Sequence, residues 1–395
     1  MINPFEYAPM PHLHFGWGCR TELLAQCQRQ YRKIVVISSR FLAQPEQFAA
    51  QFIAALESSC QVQSFTVSGE PSPDLVDEIV QQCDADNQAV IAIGGGSVLD
   101  AAKAVAGLIP SQTSVMDYLE GVGAGKPFNV ETCPFIAVPT TAGTGSETTK
   151  NAVLSRIGHF KKSFRDNKLL AKEAWLDPEL LQSCPQEVLY ATGLDAFTQL
   201  LESYTTLKAN PISDALAWQG MQKFIGAFDM IANDNAEEQQ TGYGNLMLAA
   251  MLSGTTLANA GLGAVHGLAG PIGAFFEAPH GIVCAKLLTP ITQANIAALQ
   301  AHKDSNFSSS FLSKYAQVGC LVSRQNDLDE NKALDELISY LQDLSCQYAP
   351  QGLAKYGLQE NNIDPVLANC RSGSMLGNPL TLTDKALRYA IISSL

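Results

Sequence analysis

Basic residues are scarce in this chain: 25 Lys and Arg stand against 38 Asp and Glu, a net charge of −13. So acidic a balance disfavours general nucleic-acid binding, which needs clustered cations for phosphate contacts. An anionic ligand in a local basic pocket stays compatible with it. Histidine is scarcer still, six in 395 residues, so each one in a costly setting carries information. The ten cysteines form no CxxC pair and no regular spacing, which reads as buried or incidental thiols in a reducing compartment. The N-terminus lacks a basic segment followed by an apolar one, so no export signal is expected. Apolar runs stop short of about 18 residues, so no membrane span is expected either. The cytoplasm is the expected compartment. Only 16% of residues are charged and 46% are apolar, which excludes disorder, and the length suffices for two domains.

What is present is a regular alternation. Residues 33–38, 62–67, 89–93 and 134–138 are β-branched or apolar runs of strand length, and 12–18 reads as a short strand and turn. Helical spacing marks a stretch ending at Glu57, then 74–83 and 97–108, with Ser97 expected as the N-cap of the last. Continuous apolar strands alternating with helices predict a parallel sheet covered on both faces. The pattern changes near Asp177-Pro178 and Cys184-Pro185. Helical periods then dominate over 186–207, 211–232, 236–262, a segment from about 281, 309–323 and 329–347. The expected organisation is an α/β domain over 1–183 and an all-helical domain over 184–395.

Two turns at the carboxyl ends of apolar strands carry the chemistry. Gly94-Gly95-Gly96-Ser97 lies between a strand and a helix, where ligands of open α/β sheets bind. It is neither GxGxxG nor a P-loop, because no Lys-Ser/Thr follows the glycines, and phosphoryl transfer is disfavoured. The second turn, 140–149, packs six Thr or Ser residues and two Gly into ten positions. Glycine admits close backbone approach, and freed N–H groups and hydroxyls donate to anionic oxygens. Lys161 and Lys162 follow, either as solvated lysines or as partners of a pyrophosphate or ribose. Downstream, Asp195 and Gln199 share a helix face at i and i+4. His266 sits in the small, apolar run 261–271, and His280 lies between Pro279 and Gly281. One carboxylate and two imidazoles suit a Zn²⁺ or Fe²⁺ shell with a position left for a substrate oxygen.

In this order, these residues resemble the iron-containing (group III) alcohol dehydrogenase family over nearly the whole chain. The resemblance is carried by Phe15-Gly-Trp-Gly18, Gly94-Gly-Gly-Ser97 with Asp100, and Pro139-Thr-Thr-Ala-Gly-Thr-Gly-Ser-Glu147. Further along come Asp177-Pro-Glu-Leu180, Gly193-Leu-Asp-Ala196, Val265-His-Gly267, Pro279-His-Gly281 and Gly377-Asn-Pro379. The resemblance implies a dehydroquinate-synthase-like architecture: a nucleotide-binding α/β domain, a helical domain and an active-site cleft between them. It implies NAD or NADP across the two turns, on Ser39, Gly94, Gly95, Gly96, Ser97, Asp100, Thr140, Thr141, Thr144, Ser146, Val153, Lys161 and Leu180. It implies one divalent metal, Fe²⁺ or Zn²⁺, held by Asp195, His266 and His280. The expected activity is interconversion of an alcohol, primary in the first instance, and its aldehyde by hydride transfer. The expected partners are that small molecule and a second copy of the chain, with neither nucleic acid nor membrane.

The chain departs from the family at three places. Gln199 stands where a His ligand is usual, and is a fourth ligand or an orienting residue. Gly270 stands where a His near the substrate is common, so the proton passes to water or a ribose hydroxyl. Ser38-Ser39-Arg40 lacks the acidic residue that pairs with the adenosine ribose in many NAD-preferring members. Two other readings accompany the first. Lys286 is a candidate for a substrate carboxylate, which would make the substrate a sugar acid or polyol such as a 3-deoxy-octulosonate oxidised at its terminal hydroxyl. Gln199 and Gly270 also fit a non-catalytic nucleotide-binding homologue.

Overall fold

The computed structural model describes residues 4–395, so the first three positions of the expected α/β domain lie outside it. Eight strands occur among the described residues: β1 (His12–Phe15), β2 (Lys33–Ser39), β3 (Gln61–Val67), β4 (Ala89–Gly94), β5 (Phe135–Pro139), β6 (Asn151–Arg156), β7 (Phe160–Arg165) and β8 (Glu173–Leu176). Six form one sheet in the order β1-β8-β5-β4-β2-β3, every neighbouring pair parallel, while β6 and β7 make an antiparallel hairpin. Helices α1 (Arg20–Gln30), α2 (Phe48–Leu56), α3 (Pro73–Gln82) and α4 (Gly96–Leu108) cover the sheet.

Successive side chains of a strand point to opposite faces, so a strand apolar at every position needs cover on both. In β2, Ile34 and Val36 pack with Leu23 and Cys27 of α1 and Phe52 and Leu56 of α2. Val35 and Ile37 pack instead with Val76 and Ile79 of α3 and Val98, Leu99 and Val105 of α4. This two-sided burial is why 33–38 and 89–93 are legible as parallel strands. The β6–β7 hairpin and β8 are not among the expected elements. The hairpin is short, carries Lys161, Lys162 and Arg165, and turns at Gly158, so it shows no apolar run.

The chain then continues as α5 (Gln186–Thr205), α6 (Pro211–Phe224), α7 (Ala227–Ile231), α8 (Ala236–Ala260), α9 (Ala264–Phe275), α10 (His280–Gln300), α11 (Ser305–Ser323), α12 (Glu330–Tyr348), α13 (Asp364–Asn369) and α14 (Asp384–Ile392). Two compact units result. One comprises Tyr7–Pro185 with Asp229–Met247; the other comprises Gln186–Phe228 and Leu248–Leu395 with the described residues up to Glu6. In the helical unit, α10 packs on α5, α9, α11, α12 and α14. By length and composition α10 would span a membrane, with a mean hydropathy of 1.4, against the expectation of no such run; 67% of that window is buried inside the molecule. Its apolar character is that of a core helix.

Helix α10 approaches α5 closely at Gly281, where an added Cβ would lie 2.3 Å from the Ala191 carbonyl oxygen. The obstruction is backbone, so it cannot swing aside. Gly281→Ala is expected to destabilise the protein by about 1–3 kcal/mol through overpacking, read as a lower urea midpoint at unchanged slope.

Candidate active site

Two constellations stand out, one in each unit. In the α/β unit, α4 begins at Gly96 and its N-cap is Gly95, which has no side chain to accept from the first-turn amides. Ser97 is therefore inside the helix, not the expected cap. The second turn closes over this end. An added Cβ on Gly96 would lie 2.7 Å from Thr144 Cγ2, and one on Gly95 would lie 3.1 Å from Thr141 Cγ2. The Thr140 amide donates to the Gly94 carbonyl at 3.0 Å. Gly94–Ser97, Thr140, Thr141 and Thr144 are thus brought together around uncapped helix amides, the geometry that favours an anion.

Other expected contacts are held inside the frame. Asp100 accepts from the Ser146 hydroxyl at 2.5 Å and from the Val153 amide at 3.0 Å. Lys103, fully buried and not anticipated from the sequence, donates to the Ser146 carbonyl at 2.7 Å, Thr149 Oγ1 at 2.9 Å and the Asn151 carbonyl at 2.9 Å. Burial lowers its pKa to about 8, against the opposing pull of Asp100 and Glu147. Lys161 pairs with Glu70 at 2.9 Å. Ser39 Oγ accepts from the Leu42 amide at 3.3 Å, and Leu180 is buried with the sheet core. Arg40 is exposed.

In the helical unit, α5 is buried along most of its length and carries Asp195, Gln199 and Glu202 at i, i+4 and i+7, one face of the helix. His266 lies on the first turn of α9, and His280 opens α10. The three elements bring Asp195, His266 and His280 together. His266 Nε2 is 3.1 Å and His280 Nε2 is 3.8 Å from Asp195 Oδ1. Burial would push the Asp195 carboxyl up, but the His280 and His266 imidazoles outweigh it and hold it at about 2. His266 moves the opposite way. Burial disfavours its charge, yet Cys284, Asp195 and Glu202 raise its pKa well above the ordinary value.

Two side chains of this cluster were missed in the sequence. Glu202 accepts the Val265 amide on Oε1 at 2.7 Å and pairs with His266 Nδ1 through Oε2 at 2.6 Å. A glutamate on the buried face of α5, three residues past Gln199, was the available signal. Cys284 is four residues past His280 on α10, with Sγ 3.7 Å from both His266 Nε2 and His280 Nε2. Asp195, His266, His280 and Cys284 each offer a donor atom, all within 4.8 Å of one another. Gln199 faces Asp195 Oδ2 at 3.2 Å and accepts from Ser253 Oγ at 3.1 Å. An ionised carboxylate only accepts, so the atom of Gln199 facing Asp195 is the amide nitrogen. Lys286 donates to the Ala349 carbonyl at 3.1 Å, tying α10 to the residue that follows α12. A Cβ on Gly270 would meet nothing within 4 Å.

Two family models match the chain. One, described as iron-containing alcohol dehydrogenase, covers residues 10–178. The other, the C-terminal part of the Fe-containing alcohol dehydrogenase family, covers 189–391. The probable alcohol dehydrogenase EutG of Escherichia coli (strain K12) is 31% identical over 328 residues, 79% of this chain and 75% of its own. Among solved structures, the alcohol dehydrogenase from Oenococcus oeni shares the fold at a TM-score of 0.86 and 24% identity, over 99% of this chain and 100% of its own. Sulfoacetaldehyde reductase from Bifidobacterium kashiwanohense, solved in complex with NAD+, gives a TM-score of 0.80 at 24% identity over 98% of each chain.

Glu147, buried beside Lys103 in the second turn, generates a pH dependence. Burial raises its carboxyl from 4.5 to about 7. Between those values the folded protein holds a proton that the unfolded chain has released. Its stabilising contribution is therefore complete below 4.5 and is lost as pH rises through about 7. The difference in unfolding free energy between wild type and Glu147→Gln is expected to fall across that window, measured by urea titrations at stepped pH.

Proposed function

Because the chain belongs to the iron-containing alcohol dehydrogenase family, and so interconverts an alcohol with its aldehyde, we propose that it works with NAD or NADP and one divalent cation held by Asp195, His266 and His280. The observation that carries this is the convergence of those three side chains, remote in sequence, around Asp195 Oδ1. An ionised carboxylate and two imidazoles are donors that both Fe²⁺ and Zn²⁺ accept. When bound, the cation supplies Lewis-acid polarisation of the substrate oxygen and the nicotinamide supplies the hydride acceptor or donor.

The chain's own residues prepare that set. Glu202 accepts a hydrogen bond from His266 Nδ1–H, which leaves Nε2 as the coordinating nitrogen. Gln199 occupies Asp195 Oδ2 and leaves Oδ1 on the side of the two imidazoles; we assign it as an orienting residue, not a ligand. Gly95, Gly96 and Ser97 offer main-chain amides to a pyrophosphate, with Gly94 needed for the turn, and Thr140, Thr141 and Thr144 offer hydroxyls. Asp100 braces that turn through Ser146 and the Val153 amide, and Lys161, paired with Glu70, remains a candidate for the nucleotide. Ser39 and Leu180 are candidates for the adenosine end. Ser38-Ser39-Arg40 places no carboxylate against a 2′-phosphate, so both NAD and NADP enter the proposal. Gly270 offers no relay, and the substrate proton passes to water or a ribose hydroxyl.

The substrate is a small alcohol, primary in this reading, and the assembly a cytoplasmic homodimer, which light scattering of the purified protein checks. Lys286 is committed to a backbone carbonyl, so it gives the sugar-acid alternative no support. The intact Asp195–His266–His280 cluster disfavours a non-catalytic role. The deciding experiment joins elemental analysis to titration with NAD and NADP. Stoichiometric metal that disappears in His266→Ala/His280→Ala, with saturable nucleotide binding, is the expected result; absence of both refutes the proposal. Glu202→Gln is expected to lower metal affinity by about 10–100-fold, read by chelator competition.

A further inference from the structure

We propose that Cys284 is the fourth ligand of this centre, so that the donor set is one carboxylate, two imidazoles and one thiolate. The inference rests on the metal-centre reading above and assigns a ligand that it leaves out. Gln199 presents an amide nitrogen and is spent on Asp195 and Ser253. A fourth donor comes from another helix. Cys284 shares a face with His280, one turn along α10, and is fully buried.

Four of the six donor–donor edges lie close to those of a tetrahedron. With bonds of about 2.0–2.1 Å to nitrogen or oxygen and about 2.3 Å to sulfur, tetrahedral edges come to roughly 3.3–3.6 Å. Those four are 3.1 Å for His266 Nε2–Asp195 Oδ1, 3.8 Å for His280 Nε2–Asp195 Oδ1, and 3.7 Å from Cys284 Sγ to each imidazole Nε2, and the other two are within 4.8 Å. Four donors from α5, α9 and α10 therefore already sit near the corners of one small polyhedron. Coordination replaces the S–H bond by an S–metal bond and releases that proton to solvent. A thiolate shifts preference away from Fe²⁺ toward Zn²⁺, the softer-ligand ion. Zinc also tolerates a fifth donor, so four protein ligands still admit a substrate oxygen.

The test is cobalt substitution of the full-length protein. Metal is removed by chelator, Co²⁺ is added, and bound cobalt is quantified alongside the absorption spectrum. The expected result is stoichiometric cobalt with an intense near-ultraviolet sulfur-to-cobalt charge-transfer band. In Cys284→Ser that band is lost while cobalt still binds, more weakly. Stoichiometric cobalt in wild type with only weak visible bands overturns the thiolate assignment and leaves the metal centre standing. A band that persists in folded Cys284→Ser also overturns it. Failure of wild type to bind cobalt at all overturns the assignment and the centre together. Should Cys284→Ser not fold, X-ray absorption at the cobalt edge of the wild-type protein decides the point. A metal–sulfur distance of about 2.3 Å is expected, and a shell of nitrogen and oxygen alone overturns the proposal.

Discussion

The Glu202 carboxylate is the constraint from which the helical site is built. One oxygen takes a backbone amide at the start of α9 and the other takes the imidazole that α9 carries. A helix start leaves several amides without intrahelical partners. Glu202 fills one of these vacancies and Asn378 fills the next, through the Ala264 amide at 3.1 Å. The group that anchors the helix thus also sets which nitrogen of His266 faces Asp195. Fold and chemistry share a single buried charge, and its cost is offset because both of its oxygens are matched.

The α/β unit solves a related problem differently. Its second turn is rich in hydroxyls, but they do two jobs. Thr141 and Thr144 lie against Gly95 and Gly96, at the uncapped start of α4. Ser146 and Thr149 face inward onto Lys103, a cation buried in the interior and surrounded by carbonyl and hydroxyl oxygens. The polar sequence of 140–149 is therefore half lining and half scaffold. A buried ammonium with four oxygen partners holds the loop in one shape, which a ligand site made of main-chain amides requires.

Much of this was legible beforehand, for identifiable reasons. Strands buried on both faces are apolar at every position, so β2, β4 and β5 announce themselves, as does the run of amphipathic helices after Pro185. Asp195, His266 and His280 were readable because charged or polar groups among glycines and small apolar residues demand a partner. The β6–β7 hairpin was hidden by its basic, alternating surface. The Ser97 cap failed because glycine ahead of it leaves the helix start bare. Glu202 and Cys284 were passed over since each looks ordinary alone: a glutamate on a helix, and one thiol among ten. Their meaning is a matter of helical phase: Glu202 lies seven residues past Asp195 on α5, and Cys284 four past His280 on α10.

Asn378 has one more consequence. It supports the start of α9 from a point 114 residues downstream and also bonds Asn295 of α10. During synthesis, His266, His280 and Cys284 leave the ribosome well before the segment that steadies them. A nascent chain that has not reached Asn378 carries every donor of the cluster without this support. That support thus arrives only near the end of translation.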